Sequence, residues 1–400
     1  MKYDFTTILD RKGHDAIAVD MPENYQGRYH AVEREEGFDV IPMWIADMNF
    51  PVVPSVQKAI IDRVNHPSFG YFAPRQEYFN AIIKWQKFHH DVDVLPEHIG
   101  YENGVLGGLI SACNVLLSSG DSVLLHSPTY VGFTHSLENA GYNLVLSPLK
   151  RENGTWTMDY EDMEQKIIDN KIKLAVICNP HNPSGRVWKK EELLKAMEVF
   201  EKHNVWVVSD EIWSDIVLYG NIQVPTQSVN EYAHEHTVAL YAPSKTFNLA
   251  GLVGAYHIIY NKWLRDRIDK ESSLSHYNSI NLLSMYGLMG AYEPEGYAWL
   301  NELREVIGGN VDYAVDFIKN NFPGVDVIKP EGTYMLFIDC TEYCQKNNLE
   351  LKELLHKGWK YGVYWQDGQP FHGEYSIRIN LALPLSRVKE AFKRLKEHVF

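Results

Sequence analysis

From residue 100 to residue 260 the chain alternates short apolar runs with longer amphipathic ones. The apolar runs predict strands at Ser122–His126, Asn143–Leu146, Lys173–Cys178, Val205–Ser209, Val238–Tyr241 and Ala255–Tyr260. Most are apolar throughout, as expected of strands covered by helices on both faces. Between them lie helical periods. In Lys190–His203, the apolar residues Leu193, Leu194, Met197 and Phe200 recur every three to four positions, with Glu and Lys on the other face. Alternating strand and helix predicts an α/β fold with a mainly parallel sheet.

The C-terminal stretch has another order. A helix near Leu300–Asn320 precedes strands around Val325–Ile328 and Thr333–Asp339. A helix near Leu351–Lys357, a strand at Tyr375–Asn380 and an amphipathic helix at Arg387–Val399 follow. This order predicts a smaller α+β domain. The expected division is a large domain over 46–290 and a small one over 291–400. Residues 1–45 form an irregular arm that contributes part of the small domain.

Composition narrows the class. Of 400 residues, 45% are hydrophobic and 22% charged, ordinary for a globular protein with a sizeable core. The net charge of −14 repels nucleic-acid phosphates and anionic membrane, so neither is expected as a partner. No apolar run is long enough to span a bilayer. The opening MKYDFTTILDRKGHD lacks the apolar stretch of a signal peptide, and a cytoplasmic protein is expected. The four cysteines, Cys113, Cys178, Cys340 and Cys344, form neither a disulfide framework nor a zinc-ligand spacing. Reduced structural thiols, and no metal site, are the expectation.

Four segments draw attention because ligands of parallel α/β sheets bind beyond the carboxyl ends of strands. Asn179-Pro180-His181-Asn182-Pro183-Ser184-Gly185 makes a sharp loop after Cys178, and its asparagines are equally turn formers. Val205–Ser209 runs into Asp210 and Glu211, where a carboxylate is also a common helix cap. Tyr241-Ala242-Pro243-Ser244-Lys245 ends in a lysine among small and apolar neighbours, though a lone lysine is ordinarily solvated. In Glu102-Asn103-Gly104-Val105-Leu106-Gly107-Gly108, glycines open an apolar helix whose first N–H groups can hold a phosphate.

Their order is the stronger signal: glycine-opened helix, an aromatic in Ser127-Pro128-Thr129-Tyr130, Asn-Pro loop, strand-end Asp, then Ser-Lys. It resembles the fold-type I enzymes that use pyridoxal 5′-phosphate, the aspartate-aminotransferase superfamily, over nearly the whole chain. The segments DMNF, NPHNPSGRVW, SDEIWSD, APSKTFNLAG and RINLALP resemble the MalY/PatB-type cystathionine β-lyases and C–S lyases, including cystalysin. The resemblance implies a large domain with a mostly parallel seven-stranded sheet, a smaller α+β domain, and a homodimer with shared active sites.

Residue by residue, it implies that Lys245 binds the cofactor aldehyde and then carries protons. Asp210 keeps the pyridine nitrogen protonated. Tyr130 stacks on the ring, and Asn182, rather than Asn179, bonds the 3′-oxygen. Gly104, Val105 and Leu106 cradle the phosphate, with Ser244 an added contact. Arg378 stands in the otherwise apolar Ile377-Arg378-Ile379, and a guanidinium fork there suits a substrate α-carboxylate, the alternative being a buried structural ion pair. Tyr71 matches the tyrosine that reaches the neighbouring subunit's cofactor.

The chain departs from the wider pattern at three positions. Trp213 replaces the tyrosine of aminotransferases and the histidine usual in C–S lyases, and indole donates a hydrogen bond but accepts no proton. Val253, eight after Lys245, replaces a phosphate-binding arginine of aminotransferases, a loss shared with the C–S lyases. Val131 stands where cystalysin-like sequences can carry a second tyrosine. Outside this constellation, His234-Glu235-His236 is expected at a solvated surface and His89-His90 as the basic end of a helix. Trp44 and Trp365 are expected in the core. The implied reaction is α,β-elimination from cystathionine or a cysteine S-conjugate. An aminotransferase, or a regulatory protein-binding module on the same fold, are the alternatives.

Overall fold

A computed structural model of the chain describes residues 1–24, 32–275 and 278–400. Residues 25–31 of the N-terminal arm lie outside the described residues. The chain divides into two compact units, one comprising Val52–Asn182 and Arg186–Asn301, the other Met1–Pro51, Pro183–Gly185 and Glu302–Phe400.

The larger unit is built on strands β1 (Ile99–Glu102), β2 (Ser122–Ser127), β3 (Asn143–Pro148), β4 (Leu174–Cys178), β5 (Trp206–Asp210), β6 (Thr237–Tyr241) and β7 (Ala255–Ile258). They form a seven-stranded sheet in the order β1-β7-β6-β5-β4-β2-β3. The strands from β6 through β3 pair in parallel, whereas β7 is antiparallel to both of its neighbours. This is the mostly parallel sheet that the resemblance implies.

Strand periodicity explains why the runs are apolar at every position. Val123, Leu125, Val176, Cys178 and Val208 point into one core, while Leu124, Ala175, Ile177 and Val207 point into another. Helix α1 (Gln76–His90) precedes the sheet. Helix α2 (Val105–Leu116) gives Val105, Leu109, Ala112 and Cys113 to the first core. Helix α3 (Lys190–Lys202) gives Leu193, Ala196, Met197 and Phe200 to the second. Its start is fixed by Glu192, whose carboxylate accepts from the Lys189 N–H at 2.8 Å.

The smaller unit contains a four-stranded antiparallel sheet in the order Asp326–Val327, Met335–Asp339, Ser376–Asn380, Gln366–Asp367. The N-terminal arm belongs here: Ile41–Pro42 pairs in parallel with Val363–Tyr364. Trp44 and Trp365 lie in the core, donating their indole N–H to the Ala18 and Leu355 carbonyls at 3.0 and 3.2 Å. The helix expected from Leu300 begins earlier and runs Pro294–Asn321. Among the described residues, no helix is long and apolar enough to cross a membrane. The four cysteines are buried and free.

Candidate active site

The carboxyl ends of the central strands carry the chemistry in the larger unit. β5 ends on Asp210, whose carbonyl accepts the Asn179 N–H at 2.9 Å, and Glu211 N–H donates to the Leu240 carbonyl at 2.9 Å. The ends of β4, β5 and β6 are thereby tied together. Asp210 is buried, and its Oδ1 accepts the Ile212 N–H at 3.0 Å. Burial pushes its carboxyl up to about 7; Glu211 adds to the rise, while the Ile212 amide and the Lys245 charge oppose it. Glu211 is better satisfied. Its carboxylate accepts from the Ser209 hydroxyl at 2.8 Å, the Thr226 amide at 3.0 Å and the Gln223 side chain.

Lys245 follows β6 in a turn held by hydrogen bonds from Phe247 N–H to the Pro243 carbonyl (2.9 Å) and from Leu249 N–H to the Ser244 carbonyl (3.0 Å). Ser244 and Lys245 are half-buried. The Lys245 ammonium lies 5.9 Å from the centre of the Trp213 ring, which is itself buried. Asp210, Trp213 and Lys245 therefore share one neighbourhood.

The Asn-Pro loop is held by the residue before it. The Cys178 thiol donates to the Pro180 carbonyl at 3.3 Å and accepts from the Asn182 N–H at 3.5 Å, and the Cys178 carbonyl accepts from the Trp188 indole at 2.9 Å. The Asn179 side-chain amide donates to the Val224 carbonyl at 2.8 Å while its buried Oδ1 takes no hydrogen bond from the described residues, and Asn182 is buried further along the loop.

At the opening of α2, Gly104 takes φ +83°, a conformation that side chains rarely adopt. It provides no side-chain cap, and the first turn carries no acid, so the leading N–H groups at Val105 and Leu106 suit an external anion. Tyr130 stands just before the following helix, Val131–Asn139, without a side-chain cap. A side chain at Gly132 would collide with the Tyr130 ring and meet Leu106 at 3.0 Å, which places that ring beside the N-terminal turn of α2.

The glycine turn has a support that the sequence pattern did not reveal. Asn278 accepts from the Asn103 N–H at 2.6 Å and donates to the Tyr101 carbonyl at 2.9 Å and to Glu102 at 2.7 Å. Glu102 is buried against His257 at 2.7 Å. Asn278 lies far along the chain from this turn and carries no motif. The reading of His89-His90 as a basic helix end is corrected in part. Both lie in the last turn of α1, but His89 packs against Trp85 (ring centres 4.0 Å apart, tilted) and stacks on Tyr297 (4.2 Å), and His90 reaches Asp215 at 3.3 Å. Glu231, His234 and Glu235 bring ligand atoms within 4.8 Å of one another, with Glu231 exposed and the histidine stacked on Tyr260.

The remaining predicted residues are Tyr71 and Arg378. Tyr71 is fully exposed, within a run of exposed residues from 64 to 77 that also presents Phe69 and Phe72. Arg378 is buried in the smaller unit, where it donates to the Trp44 carbonyl (3.2 Å) and Gln366 and lies 4.5 Å from the Phe371 ring centre.

A phosphate-bearing pyridine aldehyde suits these residues. The open helix start matches its phosphate, and Lys245 its aldehyde. Asp210, whose second oxygen takes no hydrogen bond from the described residues, matches a protonated ring nitrogen.

Such strand-end chemistry suits an α/β enzyme with an electrophilic cofactor. The model of the family "Aminotransferase class I and II" matches residues 39–395, and the chain belongs to that family. It is 34% identical over 365 residues to cystathionine beta-lyase PatB of Bacillus subtilis, covering 90% of this chain and 92% of that protein. Cystalysin from Treponema denticola, which contains a pyridoxal 5′-phosphate cofactor, superposes with a TM-score of 0.89 at 29% identity, over 99% of this chain and 98% of its own. The pyridoxal-phosphate-bound C–S lyase from Staphylococcus hominis gives 0.88 at 30% identity, over 98% of both chains.

Proposed function

We propose that this chain is a pyridoxal-phosphate-dependent carbon–sulfur β-lyase, which converts cystathionine or a related cysteine S-conjugate to pyruvate, ammonia and a thiol. The observation that carries the choice of reaction is the 34% identity to PatB across 90% of the chain. The bound cofactor supplies an electron sink for the charge left at the substrate Cα.

The chain's own residues do the rest. The N–H groups of Val105 and Leu106 would hold the phosphate at the turn Gly104 opens, the Gly104 N–H itself donating to the Glu102 carbonyl at 2.8 Å, with Ser244 beside it. Tyr130 lies against the ring, and Asn182 and Trp213 border its oxygen. Asp210 keeps the ring nitrogen protonated, a role for which its one backbone donor leaves it available. Lys245 would bear the cofactor, and its Nζ would take the Cα proton. The Arg378 fork pairs with the α-carboxylate. The β-substituent leaves as a thiolate, a good leaving group because cysteine-like thiols have pKa values near about 8.5. Tyr71 reaches the site of a second subunit in a homodimer, a reading supported by its exposed aromatic segment. We propose a cytoplasmic location.

The test is product formation from cystathionine by the purified protein without any keto acid. Pyruvate and a thiol released in step are expected. Dependence on added 2-oxoglutarate, with glutamate appearing, would replace the lyase by an aminotransferase.

A further inference from the structure

Lys245 has to be held by its surroundings, because its proton must move between Nζ and one carbon. The turn that carries it is pinned immediately after the lysine. The Thr246 hydroxyl, fully buried, donates to Asp215 Oδ2 at 2.8 Å. The other oxygen, Oδ1, receives the Trp85 indole N–H at 3.1 Å and faces His90 Nε2 at 3.3 Å. Both of those residues belong to α1, so one carboxylate joins three elements: the segment descending from Asp210 and Trp213, the lysine turn, and the end of α1.

We propose that Asp215 is a positioning residue for Lys245, acting through the Thr246 hydroxyl. Asp215 is two residues from Trp213 and five from Asp210, so the same bond fixes the lysine turn relative to the indole and the strand-end acid. Burial raises the Asp215 carboxyl, but His90, His89 and Thr246 outweigh it and hold the group below the usual carboxylate range, so it stays ionised as an acceptor. Thr246→Val would keep the shape of threonine and remove only the donor. Asp215 would keep Trp85 and His90.

This inference rests on Lys245 as the cofactor-bearing lysine, and the test separates the two. Holoenzyme is incubated with L-alanine in deuterated water, and exchange of the Cα hydrogen is followed; this needs the proton carrier whether the enzyme eliminates or transaminates. Thr246→Val should slow the exchange about tenfold. The same variant should keep KM for alanine within about twofold, hold a full complement of cofactor, and shift the pH midpoint of the bound cofactor's absorbance. Thr246→Ser, which restores the hydroxyl, should recover the rate and the midpoint. Unchanged exchange in Thr246→Val overturns the proposal. So does a loss accompanied by lowered melting temperature and cofactor content with an unshifted midpoint, since that is a packing defect alone. Borohydride reduction that leaves the pyridoxyl group on a lysine other than 245 instead removes the reading beneath it.

Discussion

Asp210 and Asp215 are both buried, stand five residues apart, and would both be raised by burial alone. Their environments drive them in opposite directions. Asp210 has a single backbone donor and a carboxyl pushed up to about 7. Asp215 has Thr246, Trp85 and His90 around it and lies below the usual carboxylate range. One acid is left waiting for a cationic donor, and the other is already saturated by the protein. Paired titratable groups with opposed environments mark a division of roles: on the proposed reading Asp210 would meet a ligand and Asp215 would hold the frame.

The harshest way to break this comparison is to remove the charge that Asp210 faces. Lys245→Ala should abolish covalent cofactor binding and lower turnover by about a thousandfold or more, the scale of losing a proton carrier. Absorbance of the purified variant and its pyruvate yield check both. Turnover within tenfold of the parent would displace Lys245 from the site.

Asp210→Asn keeps the shape and removes the charge. Turnover should fall by roughly a hundred- to a thousandfold, as for loss of a strong electrostatic stabiliser. The cofactor-free protein should behave differently. Because burial raises the folded value of Asp210 above its unfolded value near about 4, its ionisation costs nothing below pH 4 and progressively more as pH rises towards 7. The Asp210→Asn variant should therefore gain on the parent over that window in cofactor-free urea melts, and a gap constant with pH would contradict the burial argument.

Asp215→Asn sharpens the contrast by the opposite sign. Its folded value is depressed, so its stabilisation is complete above the unfolded value near about 4 and is lost as pH falls below it. The variant should lose about 2 kcal/mol at pH 7, as for hydrogen bonds to a charged group. The deficit should shrink in melts carried out below pH 4. If the loss were the same at pH 3 and pH 7, the carboxylate's charge would not be what holds the turn.

Much of this was legible in the chain, and the remainder was not for identifiable reasons. The predicted runs Ser122–His126, Lys173–Cys178 and Val205–Ser209 became β2, β4 and β5 within a residue, because strands buried on both faces need apolar residues at every position. The reversed direction of β7 was invisible, since an apolar strand has the same pattern read either way. Asp210 and Lys245 were legible as polar residues ending apolar runs. Asp215 was present in the SDEIWSD segment, but its partners Trp85 and His90 come from a helix more than a hundred residues earlier, so no local spacing signalled it. His90 looked like a solvated helix end because its one-dimensional context omits the carboxylate packed against it. The early start of the Pro294–Asn321 helix was hidden for a related reason: its first turn, Pro-Glu-Gly-Tyr, offers no apolar period.

The smallest expected effect is at Tyr71, the reverse of both buried acids in being fully exposed. A side chain with so little contact in its own chain contributes little to that chain's stability. Tyr71→Ala should leave the melting temperature of the cofactor-free protein within about two degrees. If the hydroxyl reaches the phosphate of a second subunit, cofactor affinity should nevertheless fall about tenfold, as for one lost hydrogen bond to a charged group. Subunit mixing then distinguishes a shared site from a private one. When Tyr71→Ala and Lys245→Ala chains are combined, each hybrid dimer with shared sites contains one site bearing both lesions and one bearing neither. The intact site pairs Lys245 of the first chain with the partner's Tyr71. At limiting cofactor the mixture should therefore exceed the activity of either variant alone. Were Tyr71 to serve its own subunit, every site with a working lysine would lack the tyrosine, and mixing would restore nothing.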